Sequence, residues 1–449
     1  MKNSSPNPPQ HPVKTPETMN TNITSSESTR RDFIKQSAAS VLAGGLAFPS
    51  ILSAAPNTQT LRIGLIGCGG RGTAAAIEAL NADANSVVVA LGDVFEDRLD
   101  SSLEKLRQHA PERVKVDAGR RFLGFDAYQK VIASDVDVVL LAAPPAFRPQ
   151  HLKAAIDAGR HVFAECIAAV DAPGIRSFLD STARAQERGL GILSGFCWRY
   201  DNTARAAREQ IRAGAIGQVR TVYATYYRQS FNKYYGKERR PEWSDLQWQL
   251  RDWSDFLWLG GDMCIGLSGG HSADKMAWWL GDEMPVKAVG VGGRQFPGEG
   301  NTFDHCQIIY EYASGVRGFL GVRCQDGCHK ENADYIIGAD GVCTLGKGPA
   351  PVITGANPWT FSGKRERMHQ KEHDEFFASI RAGKPINDGQ RMAHTSLMAL
   401  MGRMAAYTGQ EITWEQALNS QQQLVPAHLD WDTKIELTPP PQPGVTKFF

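Results

Sequence analysis

The stretch LRIGLIGCGGRGTAAAIEAL, residues 61–80, constrains the fold more than any other part of the chain. A β-type apolar run meets Gly67-x-Gly69-x-x-Gly72, and an Ala-rich helical pattern follows at once. A lone GxGxxG is a weak signal, but strand, glycines and helix in this order make the fingerprint of a dinucleotide-binding βαβ unit. Gly67 permits the tight turn, Gly69 lets backbone approach a pyrophosphate, and Gly72 lets helix pack on strand. The helix N-terminus then offers free N–H groups and a positive partial charge to the phosphates. The turn Gly67, Cys68, Gly69, Gly70, Arg71, Gly72 is therefore the candidate cofactor loop.

The next strand, SVVVALGD, ends at Asp93, 21 residues beyond Gly72. A carboxylate there accepts hydrogen bonds from adenosine ribose hydroxyls and repels a 2′-phosphate, which favours NAD over NADP. Arg98 is expected to face solvent on the following helix. The alternation continues with a buried strand in DVDVVLLAAPP, a helix in HLKAAIDAGR, a strand in HVFAE, a helix over 172–188 and a strand in GLGILSGF. Strands and helices at this spacing predict an α/β doubly wound parallel sheet. Its ligand crevice lies at the carboxyl ends of the strands, where Pro144, Pro145, Glu165 and Cys166 fall.

Charge argues against one class of partner. With 49 basic and 48 acidic side chains the net charge is +1, which leaves no electrostatic footprint for nucleic acid. No internal repeat is present, and no apolar run is long enough to cross a membrane as a mature helix. The beginning of the chain differs in kind. Residues 1–28 are rich in Ser, Thr, Asn and Pro, a composition that cannot bury enough surface to fold. STRRDFIKQ, the small apolar segment SAASVLAGGLAFPSIL and then SAAP make an export signal, with cleavage expected after Ala55. The consecutive Arg30 and Arg31 resemble the twin-arginine type, which implies a periplasmic or other extracytoplasmic protein exported folded by the twin-arginine machinery, with its cofactor already loaded. Disulfides are allowed outside the cell, but a chain folded in a reducing compartment need not depend on its eight cysteines. Cys324, Cys328 and His329 lack zinc spacing and a second pair, so no metal is expected.

The segments GLIGCGGRG, AGRHVFAE, SGFCWRYD, GGHSADKMAWWLG and HDEFFASIRAGKPINDG, in this order, resemble the glucose–fructose oxidoreductase / inositol dehydrogenase (Gfo/Idh/MocA) family. The resemblance covers essentially everything after residue 57. VGGRQF, DHCQIIYEYASGVR and QDGC make it closest to the family's exported branch. It implies three parts: a leader over 1–57, an NAD-binding Rossmann domain over 58–196, and a C-terminal α/β domain over 197–449 with a large, mostly antiparallel open sheet. It also implies sugar or polyol substrates and a homo-oligomer.

Two departures bear on chemistry. Family dehydrogenases usually carry Glu-Lys-Pro where this chain has Glu165-Cys166-Ile167, and that lysine helps handle the substrate proton. The family pattern Asp-x-Gly-x-His-x-x-Asp keeps His271 and Asp274 here but has Leu267 in first place. A thiol titrates near about 8.5 when free, is shorter than lysine, and cannot hold an alkoxide with positive charge. Cys166 is thus a candidate catalytic group that is expected to line the pocket instead. His271 is the expected base, since imidazole titrates near neutrality, and Asp274 lies one helical turn away. Arg199 and Tyr200 are candidate sugar contacts, with packing the alternative for each. Trp243, Trp248, Trp253 and Trp258 fit neither helical nor strand periodicity and are expected mainly to pack. His369 and His373 share a helix face without a third metal ligand, and His373 is expected to face the substrate. The reading is an NAD-dependent oxidoreductase acting on a sugar or polyol. Its alternatives are redox-neutral glycoside cleavage or epimerisation through a transient keto sugar, and a non-catalytic sugar-binding protein.

Overall fold

The computed structural model describes residues 59–230 and 239–448. The expected leader and export signal, with Arg30 and Arg31, lie outside the described residues. Six strands form an all-parallel sheet: β1 (Leu61–Ile66), β2 (Ser86–Asp93), β3 (Arg121–Leu123), β4 (Val138–Leu141), β5 (His161–Ala164) and β6 (Ile192–Ser194). Their order is β3-β2-β1-β4-β5-β6, which reverses between β1 and β4. That switch point is where an open α/β sheet leaves a crevice for ligand. Helices α1 (Gly70–Ala82), α2 (Glu96–His109), α3 (Ala127–Ala133), α4 (Arg148–Asp157) and α5 (Ala172–Glu187) provide the crossovers. Both faces of the sheet are covered, so β1, β2 and β4 read as apolar runs rather than alternating ones; Ile63, Leu65, Val88, Leu91, Val138 and Leu140 are all fully buried.

After α6 (Asn202–Arg212) a second sheet begins with β7 (Val219–Arg228) and continues through β8 (Lys287–Gly293), β9 (His305–Glu311), β10 (Arg317–Cys324), β11 (Glu331–Gly338), β12 (Gly341–Leu345), β13 (Val352–Gly355), β14 (Trp359–Thr360) and β15 (Ile412–Thr413). The order is β14-β13-β12-β11-β7-β10-β9-β8-β15, and every pairing except β7 with β10 is antiparallel. Alternation along the strands separates two faces. Val222, Ala224, Ile308, Leu320 and Ile336 point into the core. Val289, Ile309, Phe319, Tyr223 and Tyr335 form one cross-strand row on the other face, where Tyr223 and Tyr335 stack at 5.7 Å.

The loop between β7 and β8 carries α7 (Asp245–Arg251), α8 (Leu257–Gly260) and α9 (Gly270–Trp279). A tight turn at Trp253–Asp255 separates α7 from α8, which explains why the tryptophan spacing fits no single period. Trp248 and Trp258 are buried, Trp243 stacks on Trp248 at 6.2 Å, and Trp258 donates to Gln249 at 2.7 Å. Helix α10 (Met368–Arg381) packs back onto α1, with Arg381 paired to Asp83 at 2.7 Å. Helix α11 (Gly389–Thr408), buried along nearly its whole length, lies between β8 and α5. Through Met392, Leu397 and Met401 it joins the apolar layers of both sheets into one continuous core. The chain then passes β15 and α12 (Trp414–Asn419) and continues without regular structure to Phe448.

Candidate functional site

A cleft of about 990 Å³ opens at the carboxyl ends of β1, β2, β4 and β5. Its floor is the glycine turn. Gly67 has φ +93°, and a Cβ there would stand 2.4 Å from the Ala143 nitrogen; at Gly72 it would stand 1.9 Å from the Gly67 oxygen. Those two positions need glycine for chain packing. Gly70 instead meets nothing within 4 Å and Gly69 only an Arg98 nitrogen at 3.5 Å, so the turn opens onto empty space. Helix α1 starts there with no side-chain cap and no acidic residue in its first turn. Backbone N–H groups at a helix start, beside room for a ligand, form a cradle for an anion. The residues present therefore fit a dinucleotide pyrophosphate.

At one end of the cleft the Asp93 carboxylate accepts from the Cys68 N–H at 2.7 Å and the Phe95 N–H at 3.0 Å. These bonds fix its direction and leave lone pairs for further donors. Burial raises its pKa above the usual carboxylate value, against the pull of nearby Arg98. Arg98 does not face solvent as the sequence suggested: it lines the cleft beside Asp93, with Ser101 and Lys105 on the same helix. The phase of α2 decides this, and sequence spacing alone does not reveal that phase.

At the other end lie Pro144, Glu165 and Cys166. Arg71, from the glycine turn, donates to Glu165 and is paired with Glu78 at 2.7 Å. Its side chain is thus an ionic tie between α1 and the end of β5, while its backbone belongs to the cradle. Helix α10 brings Glu372 to the same region, wholly buried, with neither carboxyl oxygen hydrogen-bonded among the described residues. Burial, then Glu165, pushes Glu372 well above the ordinary carboxyl range, which favours its neutral form. Nothing in the sequence marked it beyond an acid on an otherwise apolar helix face.

His271 opens α9 and reaches the cleft. Its Nε2 is 3.6 Å from the Cys166 sulfur, and its buried Nδ1 has no hydrogen-bond partner among the described residues. Tyr226 stacks on the ring at 6.4 Å and Phe196 meets it edge-on at 5.7 Å. Burial lowers the imidazole pKa to about 4, against the opposing charges of Glu165 and Asp274, so the ring is neutral and able to accept a proton at neutral pH. The Cys166 thiol is pushed the other way, well above its ordinary value, by burial and by Glu165. It keeps its proton, which argues against a thiolate nucleophile. Tyr226 and Arg228, on the inward face of β7, and Leu267 and Ser268 complete this end. Neither Tyr226 nor Arg228 was singled out from sequence; their position at the end of a strand facing the core was the available signal.

Two expectations, for Asp274 and His373, need correction, and for Arg199 and Tyr200 the packing alternative is the one observed. Asp274 makes no hydrogen bond to His271: it is fully buried and accepts from Arg199 at 2.9 Å, Arg391 at 3.2 Å and Thr395 at 3.2 Å. Arg199, a candidate for either sugar contact or packing, is committed to that carboxylate and to Asp282 at 2.6 Å. Tyr200 is buried and donates to Asp388 at 3.2 Å. His373 is buried against Phe163, with ring centroids 4.4 Å apart, and it is His369, one turn earlier, that lines the cleft. Among the described residues no three His, Cys, Asp or Glu side chains converge as a metal site would require.

A comparison with known proteins can now be set beside this geometry. Residues 204–344 match the family model of the GFO/IDH/MocA C-terminal domain. That segment contains β7 to β11, all but the last residue of β12, and His271. The chain is 25% identical to inositol 2-dehydrogenase of Burkholderia cenocepacia over 297 residues, 65% of this chain and 76% of the relative. It is 26% identical over 170 residues to dTDP-3,4-didehydro-2,6-dideoxy-alpha-D-glucose 3-reductase of Actinomadura kijaniata, which is 38% of this chain and 46% of the reductase. Among solved structures, levoglucosan dehydrogenase in complex with NADH and levoglucosan superposes with a TM-score of 0.64 at 16% identity, covering 79% of this chain and 99% of that one. Aldose-aldose oxidoreductase from Caulobacter crescentus, complexed with glycerol, gives 0.62 at 18% identity, covering 79% and 100%. The fold, a parallel six-stranded sheet followed by a mostly antiparallel nine-stranded one, is that of these dehydrogenases.

Proposed function

We propose that this chain is an oxidoreductase of the Gfo/Idh/MocA type that binds NAD in the cleft and acts on a sugar or polyol. The observation that carries the reading is one continuous cleft running from the open glycine cradle and Asp93 to a neutral imidazole at His271. A bound nicotinamide would supply the hydride acceptor or donor. The chain's own residues would do the remainder. Asp93 would hold the ribose hydroxyls, the α1 N-terminus the phosphates, and the Arg71–Glu165 tie the wall beside the ring. His271 would take the proton of the substrate hydroxyl at Nε2, the nitrogen that faces Cys166. Cys166 and Leu267 would shape the pocket without titrating.

The two replaced family residues favour a second reading, in which the same oxidation is reversed within one cycle and a glycoside is cleaved or epimerised without net redox. Net substrate-dependent NADH formation separates the two. The His271 role has its own test. A positioned general base is worth roughly 10²–10⁴-fold in rate, so His271→Ala should lose at least ~10²-fold in turnover while still binding NADH, and Cys166→Ala should lose little. Because His271 is neutral above about pH 4, turnover limited by this base should not fall between pH 8 and pH 6. The assignment fails if Cys166→Ala abolishes turnover and His271→Ala spares it.

Two further parts of the reading concern place and assembly. Arg30 and Arg31 ahead of a short apolar segment favour twin-arginine export with the cofactor loaded beforehand; the compartment in which mature chain is recovered checks this. The apolar row on the outer face of the second sheet, with Val289 40% exposed and Val291 69% exposed on β8, favours a homo-oligomer. Sedimentation of the purified protein as a monomer would remove that part.

A further inference from the structure

The last stretch of chain, residues 421–448, has no regular structure but is tied down along its length. The Leu424 N–H donates to Asp171 at 2.9 Å, Asn301 donates to Thr438 at 3.3 Å, and the Gly444 N–H donates to the Thr408 carbonyl at 2.9 Å. Between these ties Leu424, Val425, Leu429 and Ile435 pack on a small apolar cluster centred on Phe95, Trp248 and Phe256. Trp431 lies across two further rings, Phe125 at 4.8 Å and Phe95 at 6.0 Å.

Those two rings are not ordinary core residues. Phe95 stands two positions after Asp93, Phe125 follows β3, and both line the cleft at its Asp93 end. On its other side Phe95 is covered by the Arg251 guanidinium, 3.9 Å from the ring centroid, which is itself paired with Asp97 at 2.8 Å. The wall of the adenosine end is therefore two phenylalanines, Phe95 capped by an arginine of the β7–β8 loop that also lines the cleft, and both contacted by a tryptophan of the C-terminal tail. Trp431 does not line the cleft and remains 40% exposed, so its contact with the site runs through Phe95 and Phe125.

We propose that the C-terminal tail is a strap that retains the dinucleotide, with Trp431 the positioning residue that keeps Phe95 and Phe125 against the adenosine. Release of the cofactor then requires the tail to lift. This rests on the cleft's being the dinucleotide site. Such a strap suits a protein that keeps its cofactor through many turnovers where free dinucleotide is scarce.

The test follows NADH release by stopped-flow fluorescence, chasing bound NADH with excess NAD, for the parent chain, Trp431→Ala and Trp431→Phe. The expected result is release roughly tenfold faster in Trp431→Ala, since two aromatic contacts of this kind together carry about one decade in rate, and near-parent release in Trp431→Phe. The thermal midpoint of the cofactor-free protein should shift by no more than about two degrees, because the loss of these two contacts is small against unfolding of the whole chain. Equal release rates in all three proteins overturn the strap and leave the dinucleotide site standing. Faster release that merely tracks a lowered cofactor-free midpoint also overturns it, and failure of the parent to bind NADH overturns both readings.

Discussion

Asp274 offers the sharpest test of how the site is divided between support and chemistry. Burial alone would push its carboxyl up, but Arg199 and Arg391 outweigh that and hold it below the usual carboxylate range. The side chain is inaccessible and receives Arg199 through Nε at 3.0 and 2.9 Å, with Arg391 and Thr395 each at 3.2 Å. Replacing it with alanine strands two guanidiniums. Removing one partner of a buried pair typically costs about 3–5 kcal/mol, most of it the uncompensated charge left behind. Here each arginine keeps a second carboxylate, Asp282 for Arg199 and Asp388 for Arg391, so the lower end, ~3 kcal/mol, is expected. Against a total stability of about 5–15 kcal/mol this is a large loss, seen as a drop of several degrees in thermal midpoint and a lower urea midpoint at unchanged slope. NADH affinity and turnover of the folded fraction should stay within a few-fold of the parent, since Asp274 touches neither the cleft nor His271. The reasoning is refuted if Asp274→Ala keeps its unfolding midpoint and loses two decades of turnover, because the carboxylate would then act on the imidazole.

Asp93→Ala should weaken NAD binding by about tenfold or more, the worth of hydrogen bonds to a charged acceptor. It should also raise affinity for NADP, because Arg98 would be left unopposed beside the 2′ position; titration of both cofactors checks this, and equal affinities in the unmodified protein would refute it. Glu372 predicts a pH effect. Its folded pKa stands well above the unfolded value of 4.5, so its contribution is fully present below pH 4.5 and is lost as pH rises through the folded value. Each unit of separation costs about 1.4 kcal/mol. Glu372→Gln cannot ionise, so its stability relative to the parent should rise between pH 5 and pH 8 in urea unfolding, and a constant difference across that range would contradict the assignment.

What the sequence disclosed, and what it did not, follows the range of the interactions involved. The strand from Leu61, the glycine turn and the α1 helix are adjacent in the chain, and the glycine requirements at 67 and 72 are set by neighbours within the same unit or in β4 and its exit. Local text therefore carried that part of the cleft. Arg199 meets Asp274 75 positions away, and Arg391 meets it from 117 positions away. No pattern in WRYD or HSAD announces those partners. The helical period put His369 and His373 on one face, but the packing of α10 on α1 decides which of them reaches the cleft. Nor does any periodicity mark the tail, whose position is fixed by single hydrogen bonds and by Trp431.

Cys166 and Leu267, which stand where the resemblance implies a lysine and an aspartate, make sense once protonation is followed rather than residue type. Glu165 and Glu78 share one guanidinium, Arg71, while Cys166 keeps its proton, burial favours the neutral form of Glu372, and His271 is the neutral imidazole at neutral pH. The wall beside the expected nicotinamide position holds a further cation, the buried Arg148, whose charge acts on both Glu165 and Cys166. A lysine at 166 would add another cation to that wall, and a carboxylate at 267 would draw a proton onto His271. With a thiol and a leucine in their places the imidazole stays neutral and keeps a lone pair for the substrate hydroxyl. A thiol and a leucine at these positions are therefore consistent with the proposal that His271 takes the proton.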